Sequence, residues 1–385
     1  MAAVAGAERF PRALSPLVIN NVRLGNRVFF APMGIDLADH DGSFSQELSD
    51  FYSGIAAGGC GFLILSNATV SRDSILSPRG LRLYEAGHAE ALKPFLGTCR
   101  DRGIVVGVQL QHYGGQAITT FVRGKPLLTP SAVASNGYRK RDPKYRVREM
   151  TIEDIDLVKD QFVRAARLSI DCGAQLIQLQ ASNGYLLSSF LSPNTNRRVD
   201  GYGGSKENRG RFLCEIVRDI RKEIGQEAIL SVRLGVDDCI GAGGTVVTDF
   251  DTVVPLLEDA GVDLLEVSIC TAETFKKLTD GEAGMEAHLH ECVRQIKEYA
   301  RVPVGFAGFV DSLQKAERLI EDGTADLVGM ARAIFADNDL VNKTLDGREA
   351  QINKCLWDGR CFKDKANPRY SRVYCCVNPK YKRPE

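Results

Sequence analysis

Short β-branched and apolar runs alternate with amphipathic windows along almost the whole chain, and this alternation constrains the fold more than any single motif. The runs fall at 27–31, 62–66, 104–110, 175–179, 229–234, 264–268, 302–306 and 325–329. Between them, windows such as 46–57, 152–172, 206–224, 252–260, 287–300 and 313–322 carry apolar residues at helical three and four spacing. Strands that alternate strictly with helices pair in parallel, and eight such units predict a closed α/β structure, the (β/α)8 TIM barrel, with its site at the carboxyl ends of the strands. The alternative is an open doubly wound sheet. Against it, no strand is followed by a glycine-rich dinucleotide fingerprint; the nearest match, Gly241-Ala242-Gly243-Gly244, has the wrong spacing and reads as a flexible loop. Residues 112–150, with Gly114, Gly115, Pro126, Pro130 and Pro143, form a long irregular insertion after the third strand. A substrate wall and a plain surface excursion both fit it.

Charge narrows the partners. Lys plus Arg equals Asp plus Glu at 49 each, so there is no electrostatic footprint for nucleic acid or an anionic membrane, and a small-molecule substrate is favoured. No apolar run approaches the roughly eighteen residues needed to span a bilayer. The start MAAVAGAERF lacks a secretory pattern, so a cytoplasmic location is expected. Homo-oligomer formation is left open. Eleven cysteines without a secretory leader point to free thiols or a metal site rather than a disulfide framework. Cys60, Cys172, Cys214, Cys239, Cys270 and Cys292 are scattered through apparent core elements and read as small buried hydrophobes. Cys355, Cys361, Cys375 and Cys376 crowd into the end of the chain, which divides into a barrel over 1–345 and a tail over 346–385.

The richest polar stretch runs from Gln180 to Phe212, QASNGYLLSSFLSPNTNRRVDGYGGSKENRGRF. Gln180 and Asn183 stand three apart with Tyr185 two further on, so a chain leaving the fourth strand can turn all three toward one pocket. Two neutral amides can grip an oxygen. A phenol of pKa about 10 stays protonated at neutral pH and can donate to a carbanion-like carbon.

This stretch, together with the pattern from LSPLVINNVRLGNRVFFAPM at Leu14 to CCVNP at Cys375, resembles the Old Yellow Enzyme or NADH:flavin oxidoreductase family. In pattern it is similar to the FMN barrel domain of 2,4-dienoyl-CoA reductase and trimethylamine dehydrogenase-like members. The resemblance implies FMN as cofactor and NADH or NADPH as reductant. It places the backbone of Ala31, Pro32, Met33 and Gly34 along the isoalloxazine ring, with Asn67 and Ala68 at the end of strand two. It sets Gln109 at the pyrimidine edge and Arg233 by N1 and O2, where a fixed cation steadies the reduced ring. Gly308, Phe309, Ala331 and Arg332, after strands seven and eight, fall at the phosphate. Gln180 and Asn183 become substrate anchors and Tyr185 the proton donor. Two positions depart from the pattern: Gln180 replaces the usual histidine, and Phe309 stands where a second glycine is common. No role falls to His112, His288 or His290.

The tail is similar to a four-iron cluster segment with a ligand missing. Cys355 and Cys361 have five residues between them, Trp357 or Asp358 occupies the second ligand position, and Cys375 precedes Cys376-Val377-Asn378-Pro379. Three thiolates where four are needed imply that no cluster and no metal is held, and the tail is expected to cover the barrel's base. Multidomain relatives continue into flavin and nucleotide domains beyond this segment, whereas this chain stops at 385. Electrons are therefore expected to reach FMN directly from the nicotinamide in a ping-pong cycle. The resemblance implies an ene-reductase acting on an activated C=C bond. Alternatives are a flavin-dependent dehydrogenase or desaturase running in the oxidative direction, and a non-catalytic flavin-binding barrel.

Overall fold

The computed structural model describes residues 8–383 apart from 123, 227, 366–369 and 371. Each of the eight apolar runs overlaps a strand: β1 Val28–Phe30, β2 Phe62–Thr69, β3 Val105–Gln111, β4 Leu176–Ala181, β5 Ile229–Gly235, β6 Leu264–Ser268, β7 Val304–Ala307 and β8 Leu327–Met330. They pair in parallel in sequence order, and β8 closes on β1 through Val328 opposite Val28 and Met330 opposite Phe30. The result is a (β/α)8 barrel. Nearly every residue of these strands is buried, which is why they read as continuous apolar runs rather than alternating ones.

The barrel helices are α1 Gln46–Ala56, α2 Ala86–Asp101, α3 Ile152–Asp171, α4 Lys206–Ile224, α5 Phe250–Ala260, α6 Met285–Tyr299, α7 Leu313–Glu321 and α8 Leu340–Leu345. Their starts are written in the sequence. Ser45 and Ser205 accept from the Leu48 and Asn208 amides, and Thr151 and Asp154 form a reciprocal capping box at α3. Helix α2 is hidden in the sequence by Pro94 and by Gly87 and Gly97, yet Ala89, Leu92, Phe95, Leu96 and Cys99 still form one buried stripe.

The base of the barrel is closed by an antiparallel hairpin, Leu17–Ile19 with Val22–Leu24. Ile19, Val22 and Leu24 pack against Phe29, Phe62, Val105, Leu176, Ile229, Leu264 and Leu327 from the strands. Burying each such large side chain is worth roughly 1.5–3 kcal/mol, so Leu24→Ala would open a cavity at this plug. The expectation that the tail covers the base is corrected by this arrangement. Tyr381 instead stacks on Phe335 at 5.0 Å and donates to Asn338 Oδ1 at 2.7 Å, while Val373 and Cys375 join the main core. Among the described residues no helix is long and apolar enough to cross a membrane.

Candidate active site

A cavity of about 950 Å³ opens at the carboxyl ends of the strands. That is near the top of the roughly 300–1,000 Å³ usual for small-molecule sites, room enough for a cofactor and a substrate together. Ala31, Pro32, Met33 and Gly34 leave β1 along its wall, and Gln109, Gln180, Arg233, Gly308, Phe309, Ala331 and Arg332 also line it. Ala68 does not. The β2–β3 register slips between Leu65 and Ala68, and the extra residue of this bulge puts Asn67 in the wall while Ala68 packs in the core.

One side of the cavity rests on a buried polar relay. Glu266 on β6 lies 3.0 Å from Arg233 Nη1, and its other oxygen accepts from Gln178 Nε2 at 2.8 Å. Gln178 Oε1 in turn accepts from Gln109 Nε2 at 2.8 Å. A carboxylate can only accept, so its charge fixes the direction of every bond behind it and leaves Gln109 with its carbonyl oxygen for the cavity. Arg233 Nε is buried without a hydrogen-bond partner, and the Arg233–Glu266 contact is a close approach of charges without hydrogen-bond alignment. Burial pushes the Glu266 carboxyl above its ordinary pKa, and the Arg233 guanidinium opposes that rise. An acceptor oxygen beside an unsatisfied cationic N–H fits the N–H and C=O edge of a flavin pyrimidine. The residues present therefore fit FMN.

The far end is cationic and aromatic. Arg332 is sandwiched by the tail: its guanidinium lies 4.2 Å from the Trp357 ring centre and 5.9 Å from that of Phe362, and it donates to the Thr279 carbonyl at 3.3 Å. Burial lowers its pKa, opposed by Cys355, Cys361 and Asp358 nearby. Phe309 holds φ +56° and faces Trp357 at 6.4 Å, so the residue in the glycine position pays left-handed strain of about 1–2 kcal/mol and contributes an aromatic wall. Cys375 is buried and accepts from the Asn378 amide at 3.4 Å, whereas exposed Cys376 donates to Asp358 Oδ2 at 3.6 Å.

Gln180, Asn183 and Tyr185 reach the same cavity through a sharp turn. Asn183 and Gly184 both take left-handed φ, +60° and +75°, and swing the chain from β4 into the helix Leu186–Leu191 that Tyr185 caps. A side chain at position 184 would come within 3.0 Å of Gln116 Nε2. Ser182 orients the Gln180 carboxamide and lies beside that of Asn183. Its hydroxyl lies 2.6 Å from Gln180 Oε1 and 2.9 Å from Asn183 Oδ1, and its amide donates to Gln180 Oε1 at 3.2 Å. With Gln180 Oε1 engaged by the Ser182 amide and hydroxyl, the Gln180 NH2 group remains for a ligand, while the Asn183 NH2 group makes a long 3.4 Å bond to the Cys270 carbonyl.

The 112–150 insertion is a wall rather than an excursion. It folds a short parallel pair, Leu127–Thr129 with Val147–Glu149, and a helix Asn136–Arg141, and it sends Gln116, Ile118, Tyr138 and Arg141 to the cavity. Tyr138 donates to Gln116 Oε1 at 3.1 Å, and Gln116 Nε2 donates to the Asn183 carbonyl at 2.9 Å. Sequence reasoning did not single out these residues, nor Trp357 and Phe362 as cavity walls, nor His40. Of the histidines considered there, His112, His288 and His290 all lie outside the cavity wall. His112 is buried, accepts from the Gly114 amide at 3.1 Å, and has its pKa pulled down to about 4 by burial, so it is a neutral ring.

Residues 13–351 match the family described as NADH:flavin oxidoreductase / NADH oxidase. An NADH oxidase of Thermoanaerobacter brockii is 33% identical over 96% of this chain and 56% of its own length. An NADPH dehydrogenase of Geobacillus sp. (strain WCH70) is 32% identical over 83% of this chain and 90% of its own length. Among solved structures, a 2-naphthoyl-CoA reductase in complex with 2-naphthoyl-CoA superposes with a TM-score of 0.88 at 26% identity, over 97% of this chain and 57% of that one. The chain thus spans little more than half the length of some of the relatives it matches.

Proposed function

The chain belongs to the NADH:flavin oxidoreductase / NADH oxidase family, and from that membership we propose that it is an ene-reductase acting on a C=C bond conjugated to an electron-withdrawing group. Flavin oxidoreduction with FMN and a nicotinamide reductant is the chemistry of the family. The observation that carries the finer reading is the convergence of Gln180, Asn183 and Tyr185 on the cavity that Gln109 and Arg233 also line. Gln109 and Arg233 would hold the pyrimidine edge of FMN, which would supply hydride chemistry there. The NH2 groups of Gln180, whose oxygen Ser182 engages, and of Asn183 donate to the substrate's carbonyl-type oxygen and stabilise negative charge developing there. Tyr185 keeps a proton for the adjacent carbon. The substrate is thereby polarised at one end and protonated near it by groups on one turn of chain.

An anaerobic titration tests this. NADH or NADPH should bleach the flavin, and a cyclic enone added next should restore its colour and yield the saturated product. If enones leave the reduced protein unchanged while amines bleach the oxidised form, the reaction runs in the oxidative direction and the ene-reductase reading fails.

A further inference from the structure

Three cysteines that are far apart in the sequence meet behind the cavity, beside a histidine and an aspartate. Asp237 and Cys239 follow β5, Cys270 follows β6, and His288 and Cys292 lie one turn apart on α6. His288 Nε2 is 3.0 Å from Asp237 Oδ2 and 3.8 Å from Cys292 Sγ. The ligand atoms of Asp237, Cys239 and His288 all lie within 4.8 Å of one another. The Cys239 thiol donates to the Asp237 carbonyl at 3.8 Å and lies beside Cys270.

We propose that Asp237, Cys239 and His288 form a binding site for a zinc-class divalent cation, with an adjoining thiol, Cys270 or Cys292, as the fourth ligand. Carboxylate, thiolate and imidazole form a donor set that such a cation prefers. With zinc about 2.0–2.1 Å from nitrogen and about 2.3 Å from sulfur, tetrahedral edges run roughly 3.3–3.8 Å. The 3.0 Å His288–Asp237 and 3.8 Å His288–Cys292 separations lie near that figure, while the Asp237, Cys239 and His288 ligand atoms, all within 4.8 Å of one another, would close by up to about 1–1.5 Å to meet it. Lys277 Nζ donates to the Cys239 carbonyl at 3.2 Å.

The backbone here is also set for the site. Cys239 and Cys270 hold left-handed φ of +56° and +71°. Each costs about 1–2 kcal/mol for a residue with a side chain, and coordination would offset that cost. The same residue connects the site to the substrate pocket, since the Cys270 carbonyl accepts from Asn183 Nδ2 at 3.4 Å. A bound cation would clamp β5, β6 and α6 and steady the backbone behind Asn183.

The test uses the full-length flavoprotein, reduced and dialysed against chelator, then titrated with Zn²⁺ against a chromophoric competitor. One high-affinity equivalent per chain is expected, and Co²⁺ in its place should give thiolate-to-cobalt absorption. Cys239→Ser and His288→Ala should each weaken binding by more than the roughly 10–100-fold typical of losing an outer partner of a metal ligand. The His288 side chain is 42% exposed, so its variant should keep its flavin content and circular dichroism, separating lost ligation from misfolding. The tail variant Cys355→Ser/Cys361→Ser should bind as the parent does. The proposal is overturned if zinc fails to bind, if His288→Ala binds it equally well, or if the tail variant loses it. Peptide mapping that finds a Cys239–Cys270 disulfide and no metal in the native protein would overturn it as well.

Discussion

Replacing Arg233 by methionine isolates the electrostatics under the cavity. Glu266 is 2% exposed and has two named partners, Gln178 and Arg233, so the change leaves a buried carboxylate with one hydrogen bond and no counter-charge. Breaking a buried pair from one side costs about 3–5 kcal/mol. The Arg233–Glu266 contact is not aligned as a hydrogen bond, so the loss should fall near the lower end, about 3 kcal/mol. The double variant Arg233→Met/Glu266→Gln removes the stranded charge and should recover most of that loss, a coupling well above the few tenths of a kcal/mol expected of independent sites. The deficit should also depend on pH. The folded-state pKa of Glu266 already lies above its ordinary 4.5, and losing Arg233 raises it further. The folded protein then holds its proton more tightly than the unfolded chain, so stability falls as pH rises from 4.5 through the folded pKa, and the deficit vanishes below 4.5. Urea unfolding of flavin-stripped protein across this range keeps lost cofactor binding out of the comparison. A single-variant loss under about 1 kcal/mol with no recovery in the double variant would refute the relay as a charge-balanced unit.

Other expectations concern the groups facing the cavity. Tyr185→Phe should leave reduction by nicotinamide nearly unchanged and slow the oxidative half-reaction with an enone by ~10²–10⁴; equal slowing of both in stopped-flow traces would make Tyr185 a positioning residue. Gln180→His should tighten phenolate ligands, read as long-wavelength charge-transfer bands, and favour simple cyclic enones by about 1–2 kcal/mol, the difference between neutral and charge-assisted bonds; loss of all acceptor activity with FMN retained would show that Gln180 reads a specific substrate group. Trp357→Ala removes the ring 4.2 Å from the Arg332 guanidinium, and a partly desolvated cation–π contact is worth about 1–2 kcal/mol. Fluorescence-monitored FMN release should therefore quicken roughly 5–30-fold, and an unchanged rate would separate the tail from cofactor retention.

The barrel was legible because strands buried on both faces leave unbroken apolar runs, while α1, α3 and α4 carry their caps in the sequence. Helix α2 escaped because Pro94 and two glycines interrupt its window, although its buried stripe persists. Gln109, Gln180 and Arg233 lie in paired strands, where position follows from register. Ala68 was misplaced by a bulge, an extra residue that no composition announces. Gln116, Tyr138 and Trp357 reach the cavity from short irregular segments, where no period exists to read. The meeting of Cys239, Cys270 and Cys292 was invisible for a related reason: each alone is indistinguishable from a small core residue, and only the parallel pairing of β5 with β6 and the packing of α6 bring them together.

The match to the family model ends at residue 351, but the cavity does not. Trp357, Phe362 and Tyr370 belong to its lining, and Tyr381 anchors that stretch on Phe51 and Phe335. As a unit of exchange between proteins, the catalytic module therefore extends past the barrel to about its last anchored tyrosine. A chimaera spliced at the family boundary would carry the donor's strand-end chemistry under the recipient's roof. The aromatic surfaces around Arg332 would then vary independently of the guanidinium they cover, leaving cofactor retention and substrate choice free to diverge in separate pieces of chain.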